Sequence, residues 1–173
     1  STLFFTFCPQ GSSFLYTTPL YGGTYHLIHH ILQPLGFRGI PVRAGDTAGM
    51  RRAIRGASGL KLIFSETPAN PVLTMTDIAA ASGEAKQHPD APLAAVDNTF
   101  LGPAFQHPLL HGADLVVYSA TKYLSGFSDL LGGVVLAREP YLVAHLHGVR
   151  AILGNILQPD ECWMLNGRLP TVA

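Results

Sequence analysis

Short aliphatic and β-branched runs alternate with helix-like stretches along the whole chain, and this alternation restricts the fold more than any other feature. Runs of this length suit strands, and strands separated by helical segments build a mostly parallel sheet with helices on both faces. We place strands at Ser13–Thr17, Ile40–Arg43, Lys61–Ser65, Leu93–Val96, Asp114–Tyr118 and Gly133–Ala137. Helices are expected at Tyr25–Leu35, Thr47–Arg55, Met75–His88, Ala104–His111 and Glu139–Leu153, the last opened by Glu139-Pro140. With 173 residues the chain suits one sizeable α/β domain, and no repeat, linker or low-complexity tract divides it.

Polar residues fall at telling places in this pattern. Ser65 and Glu66 end one strand, Asp97 and Asn98 end the next, and Ser119 to Lys122 end a third. Ligands of open α/β sheets bind beyond the carboxyl ends of the strands, so these three tips should meet at one site. If the chain stays extended through Ser119-Ala120-Thr121-Lys122, the two hydroxyls point one way and the amine the other. Two hydroxyls can hold a phosphate while the amine reaches a carbonyl carbon; the same tetrapeptide also fits an ordinary strand-end loop.

Asp97 follows the apolar run Leu93–Val96, where an unpaired carboxylate is costly and a cationic partner is expected. A protonated pyridine nitrogen is one such partner; capping of the next turn is the other use of an Asp there. Tyr21 precedes Gly22-Gly23, which free the backbone for close approach, and its ring could stack on a heterocycle. Asn70 stands between Pro68 and Pro71 in a loop beyond Glu66, placed either to donate to a phenolate oxygen or to brace the turn.

Composition narrows the partners. Eleven basic and eleven acidic residues cancel, and no basic stripe could follow a phosphate backbone, so nucleic acid is not expected. Arg51, Arg52 and Arg55 read as a solvated helix face. Cys8 and Cys162 form no CxxC and suggest neither a disulfide framework nor zinc, in keeping with a reducing cytoplasm. His26, His29 and His30 share a helical face and His107 and His111 lie four apart, but neither the spacing nor a nearby Glu supports a zinc motif, so no metal is expected. Apolar runs are too short to span a bilayer, and a soluble protein without membrane contact is expected. Hydrophobic residues reach 47% against 13% charged, which predicts surface buried against another body. A start at Ser1 without Met predicts a fragment of a longer polypeptide.

Taken in order, Phe64-Ser65-Glu66-Thr67-Pro68-Ala69-Asn70-Pro71, Val96-Asp97-Asn98-Thr99 and Tyr118-Ser119-Ala120-Thr121-Lys122-Tyr123-Leu124-Ser125-Gly126 resemble the successive signatures of the Cys/Met-metabolism pyridoxal-phosphate (PLP) enzymes. That family includes cystathionine synthases and lyases, methionine γ-lyase and O-acylhomoserine sulfhydrylases. The resemblance runs from Ser1 to about Leu165. It implies the fold-type-I PLP-dependent transferase large domain, truncated at both ends, over residues 1–165, with 166–173 beginning the connection to an absent C-terminal domain. It implies that Lys122 holds PLP as a Schiff base and then moves protons, and that Asp97 pairs with the pyridine nitrogen. Tyr21 would stack on the ring with a catalytic role, Ser119 and Thr121 would bind the phosphate, and Asn70 would lie near the ring hydroxyl. It further implies an amino-acid substrate and a homo-oligomer, dimer or tetramer. Three positions depart from the family's pattern: Phe127 replaces a histidine, Asn166-Gly167-Arg168-Leu169 stands for an Arg-Gly-Leu segment, and Gly23 occupies the place of a cysteine usual in methionine γ-lyases. A non-catalytic fragment or homologue, binding PLP or serving only in assembly, is the competing expectation. A nucleotide-binding domain is not, because no GxGxxG or GxxxxGK[ST] follows a strand.

Overall fold

A computed structural model describes residues 1–172. Six strands, β1 (Ser13–Thr18), β2 (Arg38–Arg43), β3 (Leu60–Glu66), β4 (Leu93–Asp97), β5 (Leu115–Ser119) and β6 (Gly133–Ala137), form one sheet in the order β2-β1-β3-β4-β5-β6. Neighbours pair in parallel except β6, which runs antiparallel along the edge of β5. The strand order reverses direction beside β1, so the carboxyl ends of β1 and β3 flank a topological switch point.

Alternation along the strands sends side chains to two cores. Phe14 and Tyr16 of β1 and Leu62 and Phe64 of β3 pack with Leu3 and Phe4 of α1 (Thr2–Phe7), with Ile28 and Leu32, and with Leu142 and Leu146 of α6 (Pro140–Leu153). Leu15 and Ile63 face the other way, onto Met50 and Ile54 of α3 (Thr47–Gly56) and Ala81 and Ala85 of α4 (Ile78–Gln87). Leu60 joins this second core although it lies three residues before Ile63. A register shift in β1–β3 pairing sets Ser13 opposite Leu60 but Phe14 opposite Leu62, so the extra residue, Lys61, turns Leu60 to the Ile63 side.

Several expected boundaries move for local reasons. The helix expected from Tyr25 begins earlier, as α2 (Gly22–His26), and continues as a π-helical stretch over Leu27–Leu32. The helix expected from Met75 starts at Ile78, because the Asp77 carboxylate accepts the Ala80 N–H at 2.9 Å and caps it there. The single helix expected over Ala104–His111 is two pieces, α5 (Gly102–Phe105) and a 3₁₀ turn over Pro108–His111. Pro108 has no N–H to continue the ladder and pushes His107 out of helical geometry. Two helices went unread in the sequence, α1 and α7 (Pro159–Arg168). The second carries a legible start, a capping box between Gln158 and Glu161 with Pro159 at the first helical position. Helix α7 also crosses the expected boundary at Leu165; of the expected connection 166–173, Ala173 lies outside the described residues. Among the described residues no helix is long and apolar enough to cross a membrane.

Candidate active site

The polar tips of β3, β4 and β5 converge as their positions in the sequence predict, and Tyr21, just beyond β1, joins them. Tyr21, Asn70, Asp97, Ser119, Thr121 and Lys122 line one cleft of about 560 Å³ at the carboxyl edge of the sheet. That volume lies within the roughly 300–1,000 Å³ of small-molecule pockets.

Between Tyr21 and Asn70 stands a residue whose role the sequence did not reveal, Glu66. It is the last residue of β3, buried to 5% exposure, and its carboxylate accepts the Tyr21 N–H at 2.8 Å and the Asn70 N–H at 2.7 Å. Its own N–H donates to the Thr17 hydroxyl at 3.0 Å, locking the ends of β1 and β3 together. One carboxylate thus sets the backbone from which both Tyr21 and Asn70 project. Burial pushes its pKa up, the two N–H bonds act against that rise, and the nearby Asp97 charge adds to it. Glycine at position 23 completes the placement of the ring, since a Cβ there would meet Tyr21 Cε1 at 2.6 Å.

Asp97 lies in register with Glu66 across the β3–β4 pair. Its Oδ1 accepts from both the N–H and the hydroxyl of Thr99, at 3.0 and 2.6 Å, and the Thr99 hydroxyl in turn accepts the Ser119 N–H at 2.8 Å. Thr99 therefore ties the tips of β4 and β5 through the carboxylate, a second role that the sequence left unread. Burial raises the Asp97 pKa, with the two Thr99 bonds acting in the opposite sense. Among the described residues no Lys or Arg forms an ion pair with Asp97.

The expectation of an extended chain through Lys122 is corrected. Strand β5 stops at Ser119, and Ala120–Leu124 coils into a tight turn in which the Ser125 N–H bonds the Ala120 carbonyl and the Gly126 N–H bonds the Lys122 carbonyl. Within the turn the Thr121 N–H donates to the Gly132 carbonyl at 3.3 Å and the Thr121 hydroxyl accepts the Gly132 N–H at 3.0 Å, which ties the loop before β6 to it. Ser119 and Thr121 both reach the cleft, but from a strand end and a turn rather than from one strand face. Lys122 is exposed in the cleft and adopts φ −91°, ψ −118°.

A family-level comparison matches residues 1–173 to the Cys/Met metabolism PLP-dependent enzymes. The chain belongs to that family. The match runs through residue 173, past Leu165 where the resemblance was expected to end. The chain is 39% identical over 163 residues to cystathionine gamma-lyase of Bacillus subtilis, covering 94% of this chain and 42% of that protein. It is 38% identical over 171 residues to L-methionine gamma-lyase of Pseudomonas deceptionensis, covering 98% and 42%. The crystal structure of cystathionine gamma-lyase from Lactobacillus plantarum complexed with L-serine superposes with a TM-score of 0.92 at 35% identity, over 99% of this chain and 44% of that one. The chain thus spans less than half the length of these relatives. The family is PLP-dependent, and the mostly parallel sheet with helices on both faces is the large-domain fold expected of it.

Proposed function

We propose that the whole protein catalyses PLP-dependent elimination or replacement at the β- or γ-carbon of a sulfur amino acid or an O-acylhomoserine. The observation that carries this reading is the pairing of opposite needs in one cleft: Asp97 is a carboxylate without an ion-pair partner among the described residues, and Lys122 is an exposed amine. The protonated ring nitrogen of PLP suits the first and its carbonyl carbon suits the second. When bound, the cofactor supplies an electron sink for negative charge developing at the substrate Cα.

The chain's own residues do the rest. Lys122 would hold the cofactor covalently, and its free amine would take and return protons at the substrate's carbons. Asp97, whose pKa burial alone would raise, is kept ionised by a cation placed against it and keeps that cation protonated. Tyr21 would stack on the ring, and Asn70 would lie near the ring hydroxyl. Ser119 and Thr121 would bind the phosphate; the Thr121 hydroxyl already donates to the Gly132 carbonyl at 3.4 Å, so Ser119 is the freer donor. Residues 1–165 form part of the PLP-binding large domain, and 166–173 begin its connection onward. The names of the relatives, and the amino acid in the L. plantarum complex, support an amino-acid substrate. We place the protein in the cytoplasm as a homo-oligomer. Large exposed apolar side chains such as Phe105, at 81%, and Leu131, at 77%, support association, and a clean monomer by light scattering at high concentration would overturn it.

The direct test mixes the full-length protein with PLP. A visible absorption band that borohydride abolishes, with the reduced adduct mapped by mass spectrometry to Lys122 and absent in Lys122→Ala, is the expected result. An adduct on Lys61 or Lys86 instead would overturn the site.

A further inference from the structure

Helix α7 touches the lysine-bearing turn at two points on one face. Leu165 is buried in a cluster with Ala120 and Leu124, on either side of Lys122, and with Leu130 of the loop that follows. Three residues on, where a helix brings side chains to the same face, Arg168 reaches that loop directly. Its guanidinium donates to both carboxylate oxygens of Asp129, at 2.6 and 2.8 Å, and its Cζ lies 4.8 Å from the centroid of the Phe127 ring. The loop held in this way supplies a wall of the cleft through Gly126, Ser128 and Leu131.

The backbone inside this grip is not relaxed. Ser128, on the loop that Arg168 grips, takes φ +58° without being glycine. Such conformations persist only where the surroundings over-determine them. The near end of the loop is fixed by the Gly126 N–H on the Lys122 carbonyl and the far end by Gly132 on Thr121. Between them the polar hold comes from Arg168. Asp129 is about half exposed, and an ion pair so close to water adds little to global stability, so its consequence is local geometry.

We propose that Arg168 is a positioning residue for Lys122. It clamps the cleft wall and, through the wall, the turn that presents the amine to the cofactor. The inference rests on the PLP reading above, and its test separates the two.

In the full-length protein, Arg168→Ala is compared with the unaltered chain by three readouts. These are amide exchange without cofactor, the rate of borohydride-trapped PLP incorporation at Lys122, and the pH titration of the visible band. Amides of residues 126–132 should exchange at least about tenfold faster while those of β1 and β3 do not change, as expected of a local rather than global opening. Incorporation should slow roughly tenfold, a modest case of the rate lost when a reacting group is misplaced, and the band's titration should move. Tm should fall by only about 2 °C. Arg168→Lys should recover part of the effect, since an ammonium keeps the charge but not the two-pronged grip. Unchanged loop exchange and an unchanged titration overturn the clamp, as does a slowing matched by equal loss of protection in β1 and β3. If Arg168→Ala fails to fold, Asp129→Asn leaves α7 intact and is judged by the same readouts. An unaltered chain that takes no PLP at Lys122 refutes the proposed function, while the exchange data still decide for or against the clamp.

Discussion

The sheet face under α3 and α4 and the carboxyl edge above β3, β4 and β5 are built by opposite rules. On the face, Leu15, Ile54, Leu60 and Ile63 are exposed by 1% or less, and the helices carry their charges outward, as Arg55 does toward Glu84. At the edge, two carboxylates stand side by side in register, both with raised pKa, and Ser128 of the cleft wall holds φ +58° without being glycine. The first region converts buried apolar area into stability. The second gives stability up, keeping charge and strain where a ligand can use them. The comparison teaches where each kind of substitution should be felt.

The largest stability effect should come from the face. Ile63→Ala leaves a cavity between β3 and the two helices and should cost about 3 kcal/mol, the middle of the range for such truncations. In the full-length protein this lowers Tm by roughly 4 °C, while PLP incorporation by the protein that remains folded is unchanged. Altered incorporation at low temperature would show that the two regions are not separable.

Asp97→Asn should do the reverse. It removes a carboxylate whose ionised form burial disfavours, so thermal stability of the cofactor-free protein should rise by a few degrees. The whole enzyme should nevertheless turn over roughly a hundredfold more slowly, the scale on which a preorganised electrostatic partner is lost. The pH dependence sharpens this. A carboxyl whose folded pKa is raised costs no stability below its unfolded pKa of about 3.9, and the cost grows as pH rises through the folded value. The Tm advantage of Asp97→Asn should therefore be absent in acid, increase with pH and then level off. Saturating PLP should shrink it, because a cation against Asp97 relieves the same cost. An advantage that is greatest in acid would contradict the assignment.

How legible each feature was follows from its range along the chain. The strands were readable because each is a local apolar run, and the cleft residues because they sit where those runs stop. Helix α7 is signalled in the sequence by Gln158-Pro159-Asp160-Glu161, a local cap, without an apolar period after it to mark its length. Helix α1 offered only Leu3–Phe7, a run short enough to pass for a strand or a loop.

The amino-acid order alone therefore determined the family, the alternation of elements and six of the residues that line the cleft. Periodicity and motif spacing are properties of neighbouring residues, and they survive without any knowledge of the fold. The holds on those side chains were decided only in three dimensions. Glu66 reaches Tyr21 across 45 residues because β1 and β3 are parallel neighbours, and Thr99 meets Ser119 across 20 because β4 lies beside β5. Arg168 meets Asp129 across 39 because Leu165 anchors α7 against the lysine turn. Each is a hydrogen bond or ion pair whose partners are chosen by strand order and helix docking. Those are set by burial of the whole core, and no window along the sequence contains it.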